Sequence, residues 1–214
     1  MMITEEDKYW ILLHQFPKFG PSKFKKILDH FPSMEEAYQS GKEELIRAGI
    51  EEKIAEEFVR FRSAGGKEEV LKTIEKENIG ILKITDPGYP QLLAQIYDPP
   101  SLLYYKGNAV FNEELPLAVV GSRKYSSYGE QVTEYIVSEL ARNGMTIISG
   151  LALGTDALAH SHTLKNGGRT IAVLGSGIDD LHVYPPQNRK LQKDIIASEG
   201  TVISEFPPGT HPTK

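Results

Sequence analysis

The 214-residue sequence contains no cysteine. Disulfide frameworks, thiolate metal sites and cysteine nucleophiles are thereby excluded, and the chain has to fold on its apolar core alone. At 40% hydrophobic residues that core is of ordinary size for a globular protein. No stretch is apolar over the length that crosses a bilayer, and the acidic start MMITEEDKYW lacks the basic flank and apolar run of a secretory signal. The expected setting is cytoplasmic, with no membrane partner. A polycationic half is missing too: the formal charge is −5, with 15 basic against 18 acidic residues before position 107 and 9 against 11 after it. A protein that coats duplex DNA neutralises many phosphates, so any nucleic-acid contact here has to be a local pocket.

The common nucleotide motifs are absent as well. Gly121 has no second glycine two positions on, Gly175-Ser176-Gly177 continues into Ile178-Asp179-Asp180 where a closing glycine would stand, and there is no Walker lysine-serine pair. His160 and His162, two apart on a presumed helix, point to different faces and have no carboxylate at ligand spacing, so neither a metal nor another cofactor is expected. Ser126, Ser149 and Ser204 lack a nucleophile elbow and an assignable histidine-carboxylate pair, which leaves a hydrolase triad without support.

What is present falls into two patterns. Residues 5–62 carry apolar residues at helical spacing (Tyr9, Leu12, Leu13, Phe16; Phe24, Ile27, Leu28, Phe31; Leu45; Ile54, Phe58, Val59, Phe61), broken at FPKFGPS, FPSM and AGI. This predicts a small all-helical domain over residues 1–64. Its segment LHQFPKFGPSKFKKILDHF has the layout of a helix-hairpin-helix, with Lys18, Lys23, Lys25 and Lys26 as the one basic cluster of the first half. Either these lysines meet DNA phosphate or they form a solvated helix face. After the expected linker SAGGK, a domain over residues 65–214 opens with the helix KEEVLKTIEKEN and the strand IGILKIT. A proline-punctuated stretch follows, with a short helix near 91–96 and a strand at 101–105. Then LAVVG, MTIISG, TIAVLG and TVISE alternate with helices near 130–143, 156–166 and 189–198. Nearly continuous apolar strands separated by helices predict an α/β domain, an extended Rossmann-like, doubly wound and mostly parallel sheet covered on both faces.

Ligands of such sheets sit outside the carboxyl ends of the strands. Four successive strands here run into polar loops, GSRKYSSYG, SGLALGTDALAH, GSGIDDLHVYPPQN and SEFPPGTHP, so all four are expected on one edge around a shared crevice. The first reads as an anion-binding loop, since glycine permits tight turns, serine and backbone amides donate hydrogen bonds and arginine offers a planar fork. Candidate contacts are Gly121, Ser122, Arg123, Ser126, Tyr128 and Gly129 in the first loop, Ser149, Gly150 and Gly154 in the second, and Gly175 and Gly177 in the third. Further candidates are Lys124, Asp156, Asp179, Tyr184 and Asn188, with Lys18 and Lys23 in the helical domain. Alternatives stay open at several of them: Arg123 grips phosphate or forms a structural ion pair, Asp156 caps a helix or touches ligand, and Asp179 and Asp180 meet ribose, cap a helix or face water. Tyr125, Tyr128 and Tyr184 either stack on unpaired bases or pack.

In this order and spacing the four loop motifs resemble the DNA-processing protein A family (DprA, also called Smf). The stretch DPGYPQLLAQIYDPPSLLYYKG resembles the segment that precedes them there, and the helical start is similar to that family's sterile-alpha-motif-like domain. The resemblance implies single-stranded DNA binding without chemistry and delivery of that DNA to the RecA recombinase during natural transformation. It implies that Gly121, Ser122 and Arg123 grip the DNA backbone and that Ser149, Gly150 and Gly154 form the second glycine loop. Pro186 and Gln187 stand where many members carry a basic residue, which lowers the positive charge of the pocket. The family pattern continues past SEFPPGTHP, so the chain is expected to stop before the end of its Rossmann-like domain, and the homodimer is expected of full-length members rather than of this chain. A competing class is an enzyme, a nucleotide phosphoribohydrolase with Asp179 or Glu205 as general acid or ribose ligand. GLALGTDALAH lacks the double glycine and the downstream glutamate of those enzymes, so a non-enzyme is the expectation. A third possibility makes the helical domain a protein-docking module and the sheet a scaffold.

Overall fold

The computed structural model describes residues 3–66 and 68–212 and divides into two compact units, Met1–Leu103 and Tyr104–Lys214. Lys67, within the expected linker, lies outside the described residues.

The first unit opens with five short helices, α1 (Glu5–His14), α2 (Pro21–His30), α3 (Met34–Gln39), α4 (Lys42–Arg47) and α5 (Glu52–Ser63). Their ends follow from local chemistry. Thr4 and Asp7 form a reciprocal capping box at the start of α1, Pro21 opens α2 where its missing N–H costs nothing, and Ser33 caps α3 through the Glu36 amide. Helices this short are marginal alone and are held by packing. The packing is aromatic: Phe58 is fully buried, with its ring 4.7 Å from Phe19 and 5.4 Å from Phe16. Helix α6 (Glu69–Lys76), strand β1 (Gly80–Lys83) and the single turn α7 (Gln91–Ala94) follow.

The second unit is built from β2 (Leu102–Gly107), β3 (Pro116–Ala118), α8 (Ser127–Arg142), β4 (Thr146–Ser149), α9 (Thr155–Lys165), β5 (Thr170–Leu174), α10 (Arg189–Ala197) and β6 (Thr201–Ser204). Within this unit the strand order is β2-β6-β5-β4-β3. Strands β3 to β6 are mutually parallel and β2 pairs antiparallel with β6, the mostly parallel α/β sheet that the alternating pattern predicts.

The three crossovers β3–α8–β4, β4–α9–β5 and β5–α10–β6 all advance in the same direction across the sheet, and right-handed crossovers of that kind place their helices on one face. Val137 of α8 and Ala159 of α9 pack on Ile147, and Ala172 and Val202 on the same side are fully buried. On the other face Val173 is 42% exposed, and no crossover helix covers it among the described residues.

At the amino-terminal end of the parallel strands Arg169 acts as a clamp. Its guanidinium donates to Glu113 at 2.6 Å, to the Val110 carbonyl at 2.7 Å, to Thr201 Oγ1 at 2.9 Å and to the Glu199 carbonyl. This fastens the β2–β3 connection beneath the sheet.

Candidate nucleic-acid interface

The carboxyl ends of β3, β4, β5 and β6 lie side by side, so the loops that follow them share one edge. They enclose a crevice of about 150 Å³. The first loop contributes Arg123, the second Gly150, Ala152 and Leu153, the third Gly175, Ser176, Tyr184 and Pro185, and the fourth Pro212. Two larger hollows lie in the first unit, about 550 and 390 Å³, and in each a lining cation or imidazole is already engaged. Arg62 donates to the Tyr38 and Ser40 carbonyls, and His30 is paired with Glu44 at 2.7 Å.

Each loop is held by its neighbour. Gly154 has φ +88, and a Cβ there would lie 2.3 Å from the Ser122 carbonyl oxygen and 2.6 Å from Arg123 Cα, so the first loop rests directly on a bare glycine of the second. The Thr155 amide donates to the Ser122 carbonyl at 3.1 Å and its hydroxyl to the same oxygen at 3.2 Å. Gly121 is similarly close, its hypothetical Cβ 2.6 Å from Thr155 Oγ1. The second and third loops are joined by Asn188, whose side-chain amide donates to the Leu151 and Ala152 carbonyls at 2.9 and 3.0 Å. Arg123 is thereby presented from a fixed backbone.

Several candidates turn out to be braces rather than exposed groups. Asp156 is buried and accepts the Gly150 and Ala152 amides at 3.1 and 3.3 Å, folding the second loop back on itself. Those two amides are therefore spent, and the loop is not an open anion nest. Asp179 is 3% exposed, with both carboxylate oxygens engaged: one accepts from the Gly209 amide at 2.7 Å, the other faces His182 Nδ1 at 2.5 Å. Contact with ribose or DNA, or a general-acid role, would require breaking both. Asn188 is buried in the same way, Ser149 donates internally to the Val119 carbonyl, and the Ser122 hydroxyl closes a local turn with the backbone of Lys124. Ser126 caps α8 through the Gly129 amide. Gly177 is wedged against Asp179 and the fourth loop. In the first unit Lys18 is ion-paired with Glu57, Lys23 with Glu51 at 3.8 Å, and Lys26 donates to the Gly49 carbonyl at 2.7 Å.

The groups left available are few. Arg123 is exposed, and among the described residues no carboxylate pairs with it. Tyr184 is 52% exposed at the crevice, while Gly175 and Ser176 line it. Lys124, Tyr125 and Tyr128 are exposed in or beside the first loop. Of the third-loop carboxylates, Asp180 is bound by Lys106 at 2.9 Å, and that hydrogen bond holds it below the usual carboxylate range. Among the described residues Arg123 is thus the one cation of the crevice lining, with Asp156, Asp179 and Asp180 engaged elsewhere. The sequence reading missed Leu153, an exposed leucine between two glycines, and the two lining prolines. A leucine placed directly before Gly154, at the turn into the helix, was the available signal.

The profile of the DNA recombination-mediator protein A family matches residues 80–214. Protein Smf of Synechocystis is 38% identical over 218 residues, covering 100% of this chain and 54% of its own length. DNA processing protein DprA of Streptococcus pneumoniae is 46% identical over 131 residues, covering 61% of this chain and 45% of its own. The chain therefore spans about half the length of the curated relatives it matches. Among solved structures, the X-ray structure of DNA processing protein A from Streptococcus pneumoniae superposes with a TM-score of 0.75 at 32% identity, covering 100% of this chain and 71% of that one. DNA processing protein A from Helicobacter pylori, described for its single-stranded DNA binding mode, gives 0.55 at 31% identity over 64% of this chain and 59% of that one.

Proposed function

The chain belongs to the DNA recombination-mediator protein A family, and from that premise we propose that it binds single-stranded DNA in the four-loop crevice without carrying out chemistry on it. The observation that carries this reading is Arg123, a guanidinium with no carboxylate partner among the described residues, held on a braced loop at a crevice with apolar walls. A planar fork suits one phosphodiester, while Leu153, Tyr184 and the prolines offer surface to a sugar or an unstacked base. Duplex DNA keeps its bases inside, so the apolar walls favour the single strand. In the whole protein this binding serves the handover of incoming single strands to the RecA recombinase during natural transformation, in the cytoplasm.

Fluorescence anisotropy with labelled oligo-dT and a duplex of equal length, over a salt series, tests the reading. Single strands should bind more tightly, with a shallow salt dependence because few cations are engaged. Preference for duplex would overturn it. Incubation with nucleoside monophosphates should release no free base; release would restore the phosphoribohydrolase alternative.

A further inference from the structure

The third and fourth loops are joined at one side chain. Asp179 sits on the third loop and accepts the Gly209 amide of the fourth at 2.7 Å, while its other oxygen engages His182. Around this joint the Gly177 amide donates to the Thr210 carbonyl at 2.8 Å, and the His182 and His211 rings meet edge to face with centroids 4.8 Å apart. A Cβ on Gly177 would lie 2.9 Å from Asp179 Oδ1 and 3.0 Å from both the Pro207 carbonyl oxygen and the Thr210 nitrogen. The two loops therefore interlock too tightly to admit a methyl group. Past this joint the chain reaches Pro212, the fourth loop's contribution to the crevice.

We infer that Asp179 is a positioning residue for the ligand: its carboxylate fixes the fourth loop against the third and so sets the wall formed by Pro212. This rests on the single-strand reading of the crevice. Asp179 does not touch the ligand. A buried carboxylate with two hydrogen-bonded partners is costly to leave half-satisfied, so the joint is held in one arrangement. The consequence falls on dissociation: Arg123, on another loop, still captures phosphate, but the wall that retains the strand loosens.

The test measures amide exchange at Gly209 and Gly177 in the ligand-free chain, together with stopped-flow association and dissociation of oligo-dT. Asp179→Ala should speed exchange at Gly209 and raise the dissociation rate about ten-fold with association unchanged, as loss of a buried hydrogen-bonded group implies. Asp179→Asn keeps an acceptor for the Gly209 amide and should restore both to within about three-fold. Unchanged dissociation in Asp179→Ala, or an Asn variant as defective as Ala, overturns the assignment. If Asp179→Ala does not fold, Gly177→Ala keeps the carboxylate in the chain but crowds the same joint, its methyl meeting Asp179 Oδ1 and the fourth-loop backbone, and the same two readouts decide. Arg123→Ala, run alongside, separates the two claims. Parent-like binding in that variant defeats the single-strand reading itself; lost binding there with parent-like dissociation in Asp179→Ala defeats only the role of Asp179.

Discussion

Arg169 and Arg123 belong to the same sheet and have opposite fates. Arg169, just before β5, has its donors taken by Glu113, Thr201 and backbone carbonyls of two other segments. Arg123, just after β3, faces the crevice with no carboxylate among the described residues. The difference lies in what the chain brings to each end of the strands. At the amino-terminal end the β2–β3 connection passes beneath the sheet and supplies acceptors. At the carboxyl end the second and third loops turn their aspartates inward, Asp156 to the second loop's amides and Asp179 to the fourth loop's. A guanidinium is committed to the fold where acceptors converge on it and available to a ligand where they are consumed by one another.

This contrast predicts separable effects. Arg169→Ala takes the cation from Glu113, whose other oxygen keeps only the Thr146 hydroxyl in a largely buried site, and should lower unfolding free energy by about 3 kcal/mol, read by urea denaturation, with oligo-dT affinity little changed at concentrations where the chain is folded. A loss below about 1 kcal/mol would show that the clamp is redundant.

Between the two ends lies His160, fully buried on α9. The Thr170 hydroxyl donates to the Ile147 carbonyl, so it accepts from His160 Nδ1 at 2.7 Å, and Nε2 has no partner of good hydrogen-bond geometry among the described residues. Burial pushes the imidazole down to about 4 from an ordinary value of 6.5. The folded state then holds fewer protons than the unfolded one between those values, so stability should fall as pH drops from 6.5 towards 4, by about 3 kcal/mol in total. His160→Gln should flatten that part of the pH profile; an unaltered slope would trace it to other groups.

Arg123→Ala should reverse the Arg169 result. Oligo-dT affinity is expected to drop about ten-fold and the logarithmic salt slope to shrink by roughly 0.7, while stability stays within about 0.5 kcal/mol of the parent. Equal affinity would remove Arg123 from the interface. The smallest effect is expected of Lys18→Ala and Lys23→Ala. Their ion pairs with Glu57 and Glu51 are partly exposed, so each should change stability by less than about 0.5 kcal/mol and leave oligo-dT binding unaltered. A marked loss of binding in either would bring the helical unit into the DNA path.

How much of this was readable in advance depended on distance along the chain. The convergence of the four loops was, because alternating strands and helices leave a parallel sheet few topologies and put successive loops on one edge. Helix starts are set just as locally, since Thr4, Ser33 and Ser126 each accept from an amide three residues on, although Ser126 reads in the sequence as a ligand contact. The inward turn of Asp179 was not. Its partner Gly209 lies 30 residues downstream, and an aspartate in a glycine-rich loop looks the same whether it faces a ligand or a neighbouring backbone. Asn188 reaches back 37 residues to the Leu151 carbonyl, and Arg169 gathers acceptors from segments 59 residues behind and 30 ahead. Residue type announces hydrogen-bonding capacity; it does not say which capacity is left over.

Periodicity and turn chemistry, both properties of neighbouring residues, were enough to specify the helical start, the mostly parallel sheet and the edge where its loops gather. Which arginine stays free, which carboxylates become struts and which face of the sheet carries the helices were settled by contacts between segments far apart in the chain. Local preferences act within a few residues, whereas the partner of a buried polar group is chosen only when the whole fold has closed around it.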